Sequence, residues 1–256
     1  MPKISINGKI YTAPAGWNAI DAKRLCLWVA ALYTSVGDDV KAQLAVPALF
    51  LLPRGVAAKL TPVHLAQISP LISWAIDRNT ISKWIMPVLR VWHKKYYGPA
   101  DKLTNLTAHE YFNYAEPLFW RWKETADIAD LVIFCAMLYR EKRNTVIDND
   151  ARAELTDAGI NKRIRYIKQL PKATLLAIAF NYEGCRAFIA KRFHKAFSKT
   201  TNGSRVKYNP LMNDITLTLA GGDSPFPSLT EARKSNLYTF LTYLVQLIER
   251  QDNNPA

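Results

Sequence analysis

Residues 171–197 read PKATLLAIAFNYEGCRAFIAKRFHKAF, and their spacing decides the fold class. Leu175, Ile178, Tyr182, Ile189, Phe193 and Phe197 recur at three- and four-residue steps. That period places them on one face of an α-helix and predicts that this face meets a core. Lys191, Lys195 and Lys199 fall four apart on the opposite face, with Arg192 at their side. Pro171 suits the start of such a helix, where its missing N–H has no intrahelical partner in any case.

Working outward, the same period recurs along most of the chain. Ile20, Arg24, Trp28, Ala31 and Leu32 share one face of a helix that Asn18 caps and Gly37 closes. A second helix is expected from Asp38 to Leu52, and Thr61-Pro62 starts a third that Pro70 kinks or splits. Thr80–Val91 suits a strand by composition and a helix by spacing, with Pro87 interrupting either. Thr107-Ala108-His109-Glu110 and Ser228-Leu229-Thr230-Glu231 are capping boxes, in which hydroxyl and carboxylate each satisfy a backbone N–H. Thr125 is expected to cap Ala126–Tyr139, Asn144–Ala158 to form a loop or short helix, and Gly159–Gln169 a short basic element. Strand pairing is predicted at the start, where Ile4 and Ile6 alternate with polar residues, Asn7-Gly8 is a favoured hairpin turn, and Lys9–Thr12 returns. Asp214–Ala220 is a further strand candidate in an otherwise irregular stretch. The expectation is a mainly α protein with a small N-terminal β-hairpin. It is read as a single domain over 1–256: hairpin 1–13, helical core 18–197, irregular insertion 198–227 and terminal helix 228–250.

Composition excludes several classes. Of 256 residues, 49% are hydrophobic and 21% charged, enough apolar surface to offset chain ordering, so the chain is not a disordered one. Three cysteines, Cys26, Cys135 and Cys185, are too few for a disulfide scaffold and point to a reducing compartment. The N-terminus lacks the apolar core of a signal peptide, and the run Ala45–Leu52 is far short of the ~20 residues that span a bilayer. A soluble, intracellular protein without a membrane partner is therefore expected.

The net charge of +13 is not evenly spread. Residues 161–207 hold twelve basic side chains and one acidic, Glu183, whereas the first 160 residues are nearly balanced. The candidate binding face comprises Lys162, Arg163, Arg165, Lys168, Lys191, Arg192, Lys195, Lys199, Arg205 and Lys207. Such a face suits phosphates or an acidic protein, and charge alone leaves both open. Trp84 and Trp92 flank Pro87, and Trp120 and Trp122 lie among basic residues, so these four are candidates for aromatic contact with a partner.

Catalytic chemistry is not legible. The four histidines, His64, His93, His109 and His194, lie in separate segments with no ligand spacing, and no phosphate loop or nucleophile elbow occurs. Asp148-Asn149-Asp150 could begin a cation loop, but Arg152 and Leu155 stand where oxygen ligands or glycine are needed. Gly221-Gly222 lacks the strand and helix of a phosphate cradle and reads as a turn. A non-enzyme without metal or cofactor is expected.

Three stretches together resemble small proteins encoded in tail-gene regions of Bacteroidetes phages and prophages. They are Ile6–Tyr11 with Pro14, Gly16, Trp17 and Asn18; Tyr97–Asp101 with Leu103, Leu106-Thr107 and Glu110-Tyr111-Phe112; and Leu131–Arg140, ending Leu138-Tyr139-Arg140. The resemblance implies a factor similar to tail assembly chaperones, holding a tail or tape-measure protein in the host cytoplasm. It lies in structural residues, so no site residue is carried over. The basic segment is not part of it.

Overall fold

Helices and turns in the computed structural model begin and end where side-chain chemistry permits. The structure describes residues 1–34, 38–147, 150–197, 226 and 228–253. Strands β1 (Lys3–Ile6) and β2 (Lys9–Thr12) precede a 3-10 turn at Trp17–Ala19 and helices α1 (Ala22–Thr34), α2 (Asp38–Phe50), α3 (Arg54–Ala57) and α4 (Pro62–Ile68). A 3-10 segment at Ser69–Ala75 follows, then β3 (Val88–Val91) and β4 (Lys94–Tyr97). A π-helical stretch, Glu110–Ala115, runs into α5 (Glu116–Thr125), and α6 (Ile128–Leu138) comes after it. The remainder is β5 (Lys142–Ile147), β6 (Asp150–Arg152), α7 (Asp157–Ile167), α8 (Lys172–Arg192), α9 (His194–Phe197), α10 (Leu229–Lys234) and α11 (Leu237–Asn253). The protein is mainly helical, and among the described residues its strands pair only as antiparallel hairpins.

Two compact units are formed: Met1–Met86 with Pro171–Gly184, and Pro87–Leu170 with Cys185–Ala256. In the first, the β1–β2 turn is as expected, with Asn7 at φ 50° and Gly8 at φ 74°, the backbone that a two-residue hairpin requires. Asn18 does not cap α1. Asp21 does, accepting from the Arg24 N–H at 2.9 Å, while the Arg24 side chain reaches the carbonyls of Leu49 and Thr12. Asn18 is instead one of three amides that hold the irregular segment before Met86. Its Oδ1 accepts from the Ser82 and Lys83 N–H groups, Asn79 Oδ1 accepts from Ile81 N–H, and Asn181 accepts from Ile85 N–H while donating to Lys83 O. A segment without its own ladder thus has its backbone paired by side chains. Gly184 permits this approach: a Cβ there would stand 2.5 Å from Ile81 O and 2.6 Å from Asn79 Oδ1. Pro70 does end a helix, since α4 stops at Ile68 and Ile72 is non-helical. The core includes Trp17, Trp28, Phe50, Ile72 and Trp84, with Trp17 edge-on to Trp74 at 5.0 Å.

The second unit departs more from sequence expectation. Thr80–Val91 resolves as irregular chain followed by β3, and Asn144–Ala158 contains β5 and β6 rather than a loop or helix. Asp127, not Thr125, caps α6, because Ala126 takes a left-handed conformation that ends α5 first. The Thr107 box forms, with Glu110 N–H donating to Thr107 Oγ1 at 3.1 Å. At Ser228 the hydroxyl half of the box forms, accepting from Glu231 N–H at 3.2 Å, yet its helix ends at Lys234 instead of reaching residue 250. The chain breaks there to pair with an earlier segment: Ala108 N–H donates to Ser235 O, Leu237 N–H to Leu106 O, and Asn236 Nδ2 to Thr104 O. Gly37, Asp214–Ala220, Gly221-Gly222 and all of 198–227 except Phe226 lie outside the described residues. Phe226 is buried against Phe240 and Tyr243.

A buried ion cluster ties this unit together. Arg140, 2% exposed, donates to both Glu110 oxygens at 2.7 and 3.3 Å and to Asp150 Oδ2 at 3.1 Å. Arg152 donates to both Asp150 oxygens and to the carbonyls of Leu138 and Asn105. Burial and the neighbouring Arg152 lower the Arg140 pKa. Removing one member strands the others, so Arg140→Ala should cost about 3–5 kcal/mol of stability in a urea titration. A loss under 1 kcal/mol would show the cluster to be dispensable.

Burial pushes the Asp150 carboxyl up, but hydrogen bonds and charge from Arg152, with charge from Arg140, outweigh it and leave the pKa lowered. The unfolded carboxyl titrates near pH ~4. Its stabilisation is therefore complete above that pH and is lost as pH falls through the lower folded value. Asp150→Asn should flatten the acid limb of the stability curve below pH ~4, and an unchanged acid slope would contradict this.

Candidate binding surfaces

Leu89, Val91 and Tyr96 of the β3–β4 hairpin turn inward and are buried, so Val88, Arg90 and Lys95 face solvent by alternation. Arg90 and Lys95 are direct cross-strand partners. Like charges so placed repel, and neither meets a carboxylate among the described residues. The turn between the strands is Trp92-His93. Trp92 is 72% exposed and has φ 55°, in the left-handed region where glycine or asparagine is normal. Its ring stands edge-on to Tyr166 of α7, with centroids 6.2 Å apart and planes at 86°. Lys94 Nζ lies 4.4 Å from the Tyr166 ring centre, and the Arg165 guanidinium 4.8 Å. A hydrogen bond from Lys94, with Arg165 alongside, lowers the Tyr166 phenol pKa.

The structure divides the basic residues expected to form one face. On α7 and at its C-cap, Lys162, Arg165 and Lys168 are exposed at three-residue steps. Arg163 is removed from the face. It is 2% exposed, donating through Nε to Ala136 O at 2.7 Å and through Nη1 to Glu141 at 3.3 Å. Lys191 and Arg192 are exposed at the end of α8, with Arg192 stacked against Phe193 and Tyr238. Lys195 bonds Glu249 of α11 at 2.7 Å. Lys199, Arg205 and Lys207 lie outside the described residues. Around the α8 end, Arg192, Phe193, His194 and Lys195 with Thr242, Val245, Gln246 and Glu249 line a groove of about 320 Å³.

Of the four tryptophans singled out by sequence, only Trp92 presents a largely exposed ring. Trp84 is 2% exposed within the first unit, and Trp122 is buried against Phe119. Trp120 is half-buried, donating Nε1–H to Glu116 and lying under the Arg186 guanidinium, which itself bonds both Glu116 oxygens. Burial raises all three cysteine pKa values, that of Cys185 to about 12, so these thiols stay protonated near neutral pH. Among the described residues no group of three or more His, Cys, Asp or Glu side chains is placed to hold a metal ion. Asp148 and Asn149 lie outside the described residues, and Asp150 belongs to the ion cluster. No described helix is long and apolar enough to cross a membrane.

No family model, curated protein or solved structure matches the chain.

Because the Trp92 backbone is strained and its ring is exposed, the residue contributes little to folding. Asparagine tolerates the left-handed region, a relief on the order of 1 kcal/mol that offsets the lost ring contact of similar size. Trp92→Asn should leave unfolding stability within about 1 kcal/mol of the parent by urea titration, whereas a core tryptophan would cost about 3–5 kcal/mol. A loss of the latter size would make Trp92 a packing residue.

Proposed function

We propose that the chain is a non-enzymatic assembly or structural factor of a phage or prophage tail, working in the bacterial cytoplasm to hold a partner tail or tape-measure protein. The observation that carries this reading is the groove between the end of α8, α9 and α11. Phe193 and Val245 give it an apolar floor, and its rim carries the exposed Arg192 guanidinium beside the Lys195–Glu249 ion pair. A surface of that kind accepts an apolar side chain flanked by acidic residues, which is recognition rather than catalysis. The internal chemistry agrees. The two buried glutamates, Glu110 and Glu116, are each paired with arginine, and the thiols are held protonated, so these groups are committed to structure. The resemblance in Ile6–Asn18, Tyr97–Phe112 and Leu131–Arg140 supplies the biological setting.

Co-expression with products of adjacent tail genes should yield a complex that survives affinity purification. Val245→Asp, which puts a carboxylate on the groove floor, should abolish capture while leaving the thermal midpoint of the chain unchanged. Recovery of no tail protein, or capture indifferent to both Val245→Asp and Arg192→Glu, would overturn the proposal.

A further inference from the structure

We propose that the β3–β4 hairpin, with Tyr166 behind it, is a binding site for single-stranded nucleic acid, in which Trp92 is the base-stacking platform. The site is independent of the groove above and uses different residues.

Three observations converge on it. The first is conformational. Two hairpins have two-residue turns whose residues are both described, β1–β2 and β3–β4, and the N-terminal one uses Asn7-Gly8, the residues such a turn favours. The other places the largest side chain of all at φ 55°, and exposes it. A bulky residue held in that region without burial gains nothing for the fold, and strain of this sort marks functional positions. The second is geometric. Trp92 meets Tyr166 edge-on and is 72% exposed, which leaves a face of the indole open. The edge-on contact with Tyr166 restricts the ring before any ligand arrives, which lowers the ordering cost of binding.

The third is electrostatic. Arg90 and Lys95 sit opposite each other on the solvent face. Lys94, the cross-strand partner of inward-facing Val91, and Arg165 lie over the Tyr166 ring on the other side of the hairpin, so cations stand on both sides of the Trp92 turn. None of the four has a carboxylate partner among the described residues. The ligand must therefore carry several negative charges and also offer a flat π surface. An acidic peptide without aromatic side chains meets the first requirement only. A single strand meets both, because phosphates alternate with bases whose faces are unpaired. A duplex hides those faces, so the site should prefer single strands.

Fluorescence anisotropy of the full chain with a labelled oligothymidylate of about 20 nucleotides, in ~50 mM salt, tests this. Binding is expected, with quenching of tryptophan emission, and Trp92→Asn should weaken it about tenfold or more. Arg90→Glu should also weaken it and reduce the dependence of affinity on salt. The corresponding duplex and polyglutamate should compete poorly. Absence of binding, affinity unchanged by Trp92→Asn in a folded protein, or equal competition by polyglutamate would overturn the proposal. Should Trp92→Asn fail to fold, Arg90→Glu decides in its place, and undiminished binding there overturns it equally.

Discussion

The second unit depends on one interaction above others, the burial of Glu110 and Arg140 with Arg152 and the half-buried Asp150. Each charge loses water on entering the interior, a cost of several kcal/mol per ion that only close mutual pairing returns. The arrangement meets that condition. Arg140 bridges the two carboxylates, and Arg152 closes the set while capping carbonyls at Leu138 and Asn105. Glu110 also takes part in the Thr107 capping box at the start of the π-helical stretch. The network therefore fixes where one helix begins, where α6 ends, and how β5 and β6 pair. A core of aliphatic residues could match its stability but would not specify those three registers together.

The excess of positive charge has several uses. Arg140, Arg152, Arg163 and Arg186 are spent internally, on carboxylates, carbonyls and an aromatic ring. Lys195 is paired with Glu249, and Arg192 lies along Tyr238. The cations of the second unit that face water without such partners include Arg90, Lys95, Lys162 and Lys168. Net charge measures a sum, whereas recognition depends on which members of that sum remain accessible.

Features written in local chemistry were legible from sequence. Asn7-Gly8, Thr61-Pro62, the Thr107 capping box and the Ser228 hydroxyl cap each name a backbone conformation by residue type, and all four form. The β3–β4 hairpin was hidden because its turn is Trp92-His93, residues that signal no turn, although the valines, aromatics and alternation on either side suit strands. Arg163 was misplaced because a basic helix resembles a solvated face. Its position gave the better clue: Ile160, Arg163 and Ile167 share the i, i+3, i+7 spacing of a buried stripe. Asn18 looked like a cap, but its amide is used by residues 82 and 83, and no local pattern predicts a partner so distant in the chain. Arg90, Lys94, Lys95 and Tyr166 were missed for the same reason, since only the fold brings α7 against the hairpin.

Asn181 and Gly184 carry a consequence for synthesis on the ribosome. The first unit takes its opening 86 residues from the N-terminus and the rest from 171–184, with most of the second unit encoded between. The Asn181 amide, which pairs the backbone of Lys83 and Ile85, therefore emerges long after the segment it secures. At ordinary elongation rates the delay is roughly 5–20 s, during which Lys83 and Ile85 lack these backbone partners and Trp17 lacks its contact with Phe180. The nascent chain thus passes through a stage at which its oldest portion is complete in sequence but not in structure, a natural point for a ribosome-associated chaperone to engage.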